Sequence, residues 1–358
     1  MKLRDYVSVL GGKRIPLGYY YSDTFSGYKY LRVTDIDENG KFDASNLRDI
    51  PSEVFKILKR YKIEKDNLFL SIAGTIGKVG VIENELPFET VLTENAARLV
   101  LHDNSVNPSY LQCVLSTTFV QRQLNNQFIQ TTIPKLGLGR IARLRIPKIP
   151  EKKEQLQVVE LYRKALSAKE RKYGDAFSAL ESIDDLVLES LGIELPEKDD
   201  GTLANRIFYT KSSRLTAGRF DPDALHSERI NAIKAVESSK FPVEHLNRAV
   251  RFIRKTTSEY ESGVPYIGLV TNRFLAAFLR NKVVVSQTKR LMTGNTLPRL
   301  QTSDIESLLI PIPPVQVQYE IADQVDAIYA EAKRLREEGN AILAGAKAEV
   351  EAMILGVN

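Results

Sequence analysis

The sequence predicts an α+β protein in which two lobes are separated by two long helices that form an antiparallel coiled coil. An internal repeat, two proline-rich junctions and two helical stripes of apolar residues carry this prediction. With 358 residues, of which 43% are hydrophobic and 27% charged, the chain is long enough for two cores. We divide it into lobe one (1–150), a first connector (151–196), lobe two (197–314) and a second connector (315–358).

The internal repeat relates the two lobes. A shift of 164 residues aligns 110–150 with 274–314 without a gap, and twelve positions are identical. A repeat of this kind outranks local propensity in a fold argument. The openings correspond more weakly, with Leu3, Tyr6 and Leu10 against Val243, Leu246 and Val250, and 27–31 against 263–267. Between these anchors lobe one has 78 residues (32–109) and lobe two has six (268–273), so lobe two has lost its middle.

A proline-rich junction closes each lobe, at 145–150 and at 310–314. Proline lacks an amide donor and restricts the preceding residue, so we interpret these segments as extended connectors.

A long helix is predicted after each junction, because apolar residues recur there at seven-residue spacing. The stripes comprise Val159, Leu166, Tyr173, Leu180 and Val187 in the first helix, and Ile321, Ile328, Ala332, Leu335 and Ile342 in the second. The small residues Ala332, Gly339 and Ala346 would allow a partner helix to approach closely. About forty residues of helix span roughly 60 Å, which would hold the lobes apart by more than one turn of DNA.

The composition excludes several classes of protein. One cysteine, Cys113, rules out a disulfide framework, and with three histidines it cannot build a clustered zinc or iron-sulfur site. We therefore expect no metal and no cofactor, and a reducing, cytoplasmic location. No apolar run approaches the ~20 residues of a membrane span, and the first residues lack the apolar stretch of a signal peptide.

The net charge of +5 is unevenly distributed. Lobe one and lobe two each carry +6, whereas the connectors carry −3 and −4. Two basic lobes fit a polyanionic partner such as double-stranded DNA. Chance remains the alternative, since +6 over more than a hundred residues is unremarkable.

The candidate DNA-binding residues are hydrogen-bonding or cationic side chains beside predicted strands and glycine-containing loops. We predict strands at 32–36 and 67–72, and a loop at 74–78 whose glycines permit close backbone approach. Glutamine, threonine and lysine are side chains that contact base edges or phosphates. In lobe one the candidates are Lys13, Arg14, Thr75, Lys78, Gln130, Thr131, Thr132 and Lys135. In lobe two they are Arg254, Lys255, Thr257, Arg290, Asn295 and Arg299.

Catalytic motifs are not found. The loop at 74–78 does not meet the spacing of a phosphate-binding loop. The segment 107–110 is similar to the Asn-Pro-Pro-Tyr motif of amino-methyltransferases, but no glycine-rich cofactor loop accompanies it, and the repeat indicates a helix start there. We expect a protein that is not itself an enzyme.

Several of these segments together resemble the specificity (S) subunits of type I restriction-modification systems. The resemblance lies in 68–80, 108–111, 131–136, 146–147 and 154–155, with a second copy in 295–300, 310–314 and Gln318. It implies a first target recognition domain (1–150), a first conserved spacer helix (151–196), a second, shortened target recognition domain (197–314) and a second conserved spacer helix (315–358). Each domain would read half of a split DNA site, and the helices would dock methyltransferase subunits and possibly a restriction or translocase subunit.

Two functional hypotheses stay open. The first is a DNA-reading specificity subunit that directs a methyltransferase and restriction complex in phage defence. The second is an interaction module or decoy that binds methyltransferase subunits through its helices without reading a full split site. An intermediate case is another defence enzyme that uses a related recognition subunit.

Overall fold

The fold divides the chain into two units, each with its own hydrophobic core. The structure, a computed structural model, describes residues 1–125, 135–195, 226–250, 269–292 and 299–356. Unit one comprises residues 1–170 and 339–358, and unit two comprises residues 171–338. No helix within the described ranges combines the length and the apolar character that a membrane span requires.

Unit one contains two β-sheets. Its strands are β1 (Val7–Gly11), β2 (Tyr28–Leu31), β3 (Arg48–Asp49), β4 (Leu68–Ser71), β5 (Val79–Val81), β6 (Glu89–Leu92) and β7 (Ala96–Leu101). One sheet has the order β1-β7-β4-β5 and is antiparallel throughout, and the other has the order β3-β2-β6 with β2 and β6 parallel. In the first sheet Gly11 lies opposite Ala97, so β1 ends at the edge where β7 begins.

The two strands predicted in lobe one have different outcomes. β4 confirms the strand at 67–72, and it is buried on both faces because Leu68 and Leu70 belong to one core cluster and Phe69 to another. The strand predicted at 32–36 is wrong. Val33–Asp35 form a 3-10 turn, because the carboxylate of Asp35 accepts a hydrogen bond from the backbone amide of Arg32 at 2.9 Å and closes the chain on itself.

The helices of unit one pack against the antiparallel sheet. They are α1 (Ser52–Leu58), α2 (Pro108–Ser116), α3 (Thr118–Asn125), α4 (Leu138–Ala142) and the first part of α5 (Lys152–Leu191). Asn107 caps α2 by accepting a hydrogen bond from the amide of Tyr110 at 3.1 Å, which confirms the helix start predicted at 107–110. Val350 and Ile354, near the end of the last helix, complete the same core.

Unit two is mainly helical in the part that the structure describes. Its elements are the end of α5, then α6 (Ser227–Glu237), β8 (Val243–His245), α7 (Leu246–Ala249), α8 (Asn272–Leu279), α9 (Lys282–Thr288), α10 (Thr302–Glu306), β9 (Leu309–Pro311) and the first part of α11 (Val315–Leu355). β8 and β9 pair antiparallel. Phe274 and Phe278 are fully buried in a core that also contains Ile321 of α11.

The internal repeat recurs in the hydrogen bonds. The amide of Leu3 donates to the carbonyl of Leu144 at 2.9 Å, and the amide of Leu246 donates to the carbonyl of Leu308 at 2.8 Å. Leu3 therefore corresponds to Leu246, and the predicted alignment of the two lobe openings is wrong by three residues. Residues 263–267, which were aligned with 27–31, lie outside the described residues.

A buried glutamine joins the first junction to lobe one. Gln155 is fully buried at the start of α5. Its Oε1 accepts a hydrogen bond from the amide of Asn107 at 2.7 Å. Its Nε2 donates to the carbonyls of Ser105 at 3.0 Å and Pro150 at 2.8 Å. One side chain thus ties the proline junction, the start of α2 and the start of α5 together.

Gln318 repeats this arrangement in unit two. It is also fully buried, and its Oε1 accepts from the amide of Thr271 at 2.6 Å. Its Nε2 donates to the carbonyls of Leu269 at 3.0 Å and Pro313 at 2.9 Å. These partners are the repeat equivalents of those of Gln155, and we call each arrangement a glutamine clamp.

The long helices pack closely and run antiparallel. In unit one Leu166 of α5 clusters with Leu343 and Ala346 of α11. In unit two Ala176 clusters with Ala332 and Leu335, so positions on α11 fall as positions on α5 rise. Ala332, Gly339 and Ala346 are all buried, which fits the close approach expected of small residues.

The predicted stripes follow the buried face over most of their length. Val159, Leu166, Val187, Ile321, Ala332 and Leu335 are buried, Leu180 and Ile328 are half-buried, and Tyr173 and Ile342 are exposed. On α11 the buried positions after Leu335 are Gly339, Leu343, Ala346, Val350 and Ile354. This spacing advances by eleven residues instead of seven, and an eleven-residue repeat keeps a straighter helix in contact than a heptad does. The seven-residue prediction therefore fails at Ile342, and Leu343 takes the buried position.

Candidate nucleic-acid interface

Several loops of unit one meet at one edge of its sheets. The amide of Lys13, after β1, donates to the carbonyl of Leu92 at the end of β6. The amide of Thr93 donates to Leu31 at the end of β2, and the amide of Ile72, after β4, donates to the carbonyl of Asn95. Ala73 also forms a β-bridge with Lys135. We call this surface the loop edge and define it as residues 12–21, 32–36, 72–78, 93–95 and 135.

Gly12 allows the loops to meet. A Cβ atom on Gly12 would lie 2.0 Å from the carbonyl oxygen of Thr93, so no other residue fits without displacing the backbone. The amide of Gly12 donates to the carbonyl of Ala96 at 3.1 Å. The glycine is therefore required by the contact between the segment after β1 and the segment that joins β6 to β7.

The loop at 74–78 is fixed at its base. The buried Ser71 accepts the amide hydrogen of Lys78 on its Oγ at 2.8 Å, and its own amide donates to the carbonyl of Lys78 at 2.9 Å. The Nζ of Lys78 donates to the carbonyl of Ile36 at 2.6 Å. Lys78 thus ties two loops together, whereas Thr75 is exposed on the same loop.

Glu94 organises the opposite side of the loop edge. Its Oε1 accepts a hydrogen bond from Nε of Arg14 at 2.8 Å, and its Oε2 accepts one from the hydroxyl of Thr93 at 2.9 Å. The hydroxyl of Tyr30 donates to the carbonyl of Lys13 at 2.9 Å and lies 3.3 Å from Oε2 of Glu94. Burial favours the neutral form of Glu94, but the hydrogen bonds from Arg14 and Thr93 outweigh it, and the pKa of Glu94 is lowered.

Arg32 is held differently from Arg14. Its Nε and Nη2 both donate to the carboxylate of Asp35, and its guanidinium carbon lies 5.9 Å from the ring centre of Tyr21. Tyr21 in turn contacts Tyr30 edge to face at 6.0 Å. Arg14, Arg32 and the tyrosines line an open cleft of about 460 Å³.

The loop edge carries an excess of positive charge. Within its defined segments five cationic residues face two carboxylates, those of Asp35 and Glu94. Lys13 and Lys135 are exposed, and their amines have no partner in the part of the chain that the structure describes. These two amines are the groups most available to a phosphate backbone.

The structure brings five of the predicted lobe-one residues together: Lys13, Arg14, Thr75, Lys78 and Lys135. Gln130, Thr131 and Thr132 lie outside the described residues, and so do Arg254, Lys255, Thr257 and Asn295. Arg290 belongs to a 3-10 turn, Lys289–Leu291, and only its backbone is described. Arg299 is exposed at the repeat position of Lys135.

Sequence reasoning missed Arg32, Glu94 and Asn95. Their shared signal is position, since each lies directly beside the end of a strand that reaches the loop edge. Glu94 is eighty residues from Arg14 in the chain, so no short motif connects the two.

Comparison with known proteins identifies the family. The family model described as the type I restriction modification DNA specificity domain matches residues 2–169 and 264–342. The chain therefore belongs to this family, and the resemblance to specificity subunits of type I restriction-modification systems is confirmed.

Individual relatives are more distant. The chain is 26% identical over 137 residues to the type I restriction enzyme EcoBI specificity subunit of Escherichia coli, a match that covers 38% of this chain and 28% of that protein. Among solved structures, it is similar to the type I restriction-modification S subunit from M. genitalium, with 12% identity, a TM-score of 0.46, and coverage of 99% of this chain and 95% of that one. It is also similar to the HsdS subunit from Thermoanaerobacter tengcongensis, with 12% identity, a TM-score of 0.42, and coverage of 100% and 95%.

Proposed function

We propose that the chain is the DNA-reading subunit of a type I restriction-modification complex and that the loop edge of unit one reads one half of a split site. The observation that carries this proposal is the convergence of five loops that present Lys13, Arg14 and Lys135 on one surface. Such a surface combines cations for phosphates with hydrogen-bonding groups for base edges. In this role the chain recognises DNA and leaves catalysis to its partners.

The long helices give the chain a second role, since the family acts together with methyltransferase and restriction subunits. Leu156 and Tyr319, each one residue after a clamp glutamine, are exposed on α5 and α11. Exposed apolar side chains at repeated positions fit contacts with such subunits. We place the methyltransferase contact on this face of the helices.

The decoy is the second candidate function, and the shortened lobe two favours it. Six residues of lobe two stand where lobe one has 78, and those 78 include four of the five loop-edge segments in whole or in part. The charge of +6 in lobe two supports the first candidate instead, because a chain that only captures protein partners has no need of phosphate contacts.

Selection from a randomised DNA duplex pool separates the two candidates. The full chain would be tested alone and with a methyltransferase subunit from the same source, at two salt concentrations. We expect a split motif with one well-defined half, and an affinity that falls with salt. Tight, salt-insensitive association with the methyltransferase and no enriched motif would refute DNA reading and establish the decoy.

A control variant pair tests whether the loop edge is responsible. Lys13→Ala with Lys135→Ala removes the two unpaired amines of the loop edge. The matched pair Lys153→Ala with Lys164→Ala removes two exposed lysines of α5. We expect the first pair to weaken binding to all duplexes and the second to leave it unchanged.

A further inference from the structure

Arg14 presents an unoccupied guanidinium end at the loop edge. Its Nε donates to Glu94, whereas Nη1 and Nη2 have no partner among the residues that the structure describes. The Arg14 side chain is 79% exposed, and that of Glu94 is 21% exposed. The anchor is therefore partly buried, and the two free nitrogens point away from it into solvent.

The surrounding bonds hold this arginine in place. The backbone of Lys13 is fixed by its amide bond to Leu92 and by the hydroxyl of Tyr30 on its carbonyl. Glu94 is held by the hydroxyl of Thr93 as well as by Arg14. An arginine fixed through Nε keeps its fork oriented and loses less side-chain entropy when it binds.

Charge distinguishes the ligand that fits this fork. Arg14 and Glu94 form a pair with no net charge, and the Glu94 carboxylate would repel a nearby phosphate. A neutral base edge meets no such repulsion. The unpaired lysines at positions 13 and 135 are better suited to the phosphates, since a lysine amine acts as a point charge.

Arg32 shows that the arrangement is particular to Arg14. Asp35 occupies both Nε and Nη2 of Arg32, and the ring of Tyr21 lies against its guanidinium. That arginine has a structural role in its loop. Of the two arginines of the loop edge, only Arg14 offers both terminal nitrogens.

We propose that Arg14 reads a guanine of the DNA site, with Nη1 and Nη2 donating to O6 and N7 in the major groove and Glu94 fixing the fork. This inference rests on the proposed function, since it names one base contact of the same surface. Arginine paired with O6 and N7 is the commonest specific contact to guanine, and a good bidentate pair changes the preference for the base about 5- to 150-fold.

The test repeats the duplex selection with three variants of the full chain bound to its methyltransferase subunit. Arg14→Lys keeps the charge and removes the fork. Glu94→Gln keeps the shape and removes the anchor charge. Arg163→Lys is the matched control, because Arg163 also forms an exposed pair with a glutamate, Glu83, but lies on α5.

We expect Arg14→Lys to lose the preference for guanine at one position of the motif, by about 5- to 150-fold, while the rest of the motif and the salt dependence are kept. Glu94→Gln should weaken the same preference and tighten binding to unrelated duplexes, because a negative charge is removed. A purely structural role of Glu94 would not produce tighter nonspecific binding. The control should leave the motif unchanged.

Two results would overturn the inference in distinguishable ways. If the wild-type chain enriches a motif and Arg14→Lys enriches the same one, DNA reading stands and the guanine contact is refuted. If the wild-type chain enriches no motif, the proposed function fails and the guanine contact fails with it. Thermal unfolding of each variant shows that a changed motif does not result from loss of the fold.

Discussion

Unit one and unit two attach their lobes to the long helices in the same way, and they differ in what the lobe then carries. Gln155 and Gln318 make the same three hydrogen bonds to equivalent backbone groups. Lobe one inserts 78 residues between its repeated anchors, and lobe two inserts six. The attachment is thus independent of the sheets that carry the loop edge. A lobe can lose its middle and keep its joint to the helix.

The helix contact should show the largest difference between equivalent positions. Leu343 on α11 and Leu180 on α5 correspond in the repeat, but Leu343 is 3% exposed and Leu180 is only half-buried. We expect Leu343→Ala to lower the free energy of unfolding by about 3 kcal/mol, because it leaves a cavity in the helix contact. Leu180→Ala should cost about 1 kcal/mol.

Denaturant unfolding measures both changes. Ile342→Ala is the control, since Ile342 is 39% exposed and its truncation should cost well under 1 kcal/mol. A larger loss at Ile342 than at Leu343 would restore the seven-residue register and contradict the helix contact described above.

The glutamine clamps should respond alike to substitution. Gln155→Leu and Gln318→Leu each leave one amide and two carbonyls without their partner, at a cost of about 2 kcal/mol. Gln157→Leu and Gln316→Leu are matched controls, because these glutamines are exposed on the same helices. Free energies of unfolding that differ by more than about 1 kcal/mol between the two clamp variants would break the equivalence of the two joints.

The single cysteine identifies which unit opens. Cys113 lies in unit one, is 5% exposed, and burial raises the pKa of its thiol to about 12, so little reactive thiolate is present near neutral pH. We expect Gln155→Leu to speed the labelling of Cys113 by a thiol reagent and Gln318→Leu to leave the labelling rate nearly unchanged. Equal acceleration by both variants would show that the two joints do not open separately.

Gly12 tests the packing that only lobe one has. Gly12→Ala places a Cβ against the carbonyl of Thr93 and should destabilise unit one by about 1 to 2 kcal/mol. Gly345→Ala is the opposite case in the same unit, because nothing lies within 4 Å of the added Cβ on α11. That variant should gain somewhat less than 1 kcal/mol from helix propensity. A neutral effect of Gly12→Ala, read from thermal unfolding, would mean that the loops of this edge are not held together as described.

Equivalent cations should show the smallest effect. Lys135 and Arg299 occupy the same repeat position, and each contacts one phosphate if both lobes lie on DNA. Alanine at either position should then reduce the slope of log affinity against log salt by about 0.9. A change at Lys135 without one at Arg299 would assign all phosphate contact to lobe one.

The parts of the fold that could be predicted rest on patterns within one segment. The proline junctions, the capping Asn107 and the stripe from Val159 to Val187 each depend on neighbours along the chain. The register beyond Leu335 could not be predicted, because the change from seven-residue to eleven-residue spacing depends on how α5 approaches. The heptad alone places Ile342 at the contact.

The candidate site shows the same division. Lys13, Arg14 and Lys135 could be selected as cations beside strands or glycines. That Arg14 is anchored by Glu94, and that the amine of Lys78 is bound to the carbonyl of Ile36, depend on contacts between segments distant in sequence. Local pattern therefore located the loop edge but not the state of each side chain on it.

The most direct measurement is the DNA selection carried out with wild-type chain and with the triple variant Lys13→Ala, Arg14→Ala and Lys135→Ala, each bound to the methyltransferase. We predict a split motif for the wild type, and for the variant a motif in which one half loses its base preferences and the other half is kept. A variant motif identical to that of the wild type, or a wild type without any motif, would contradict DNA reading by the loop edge of unit one.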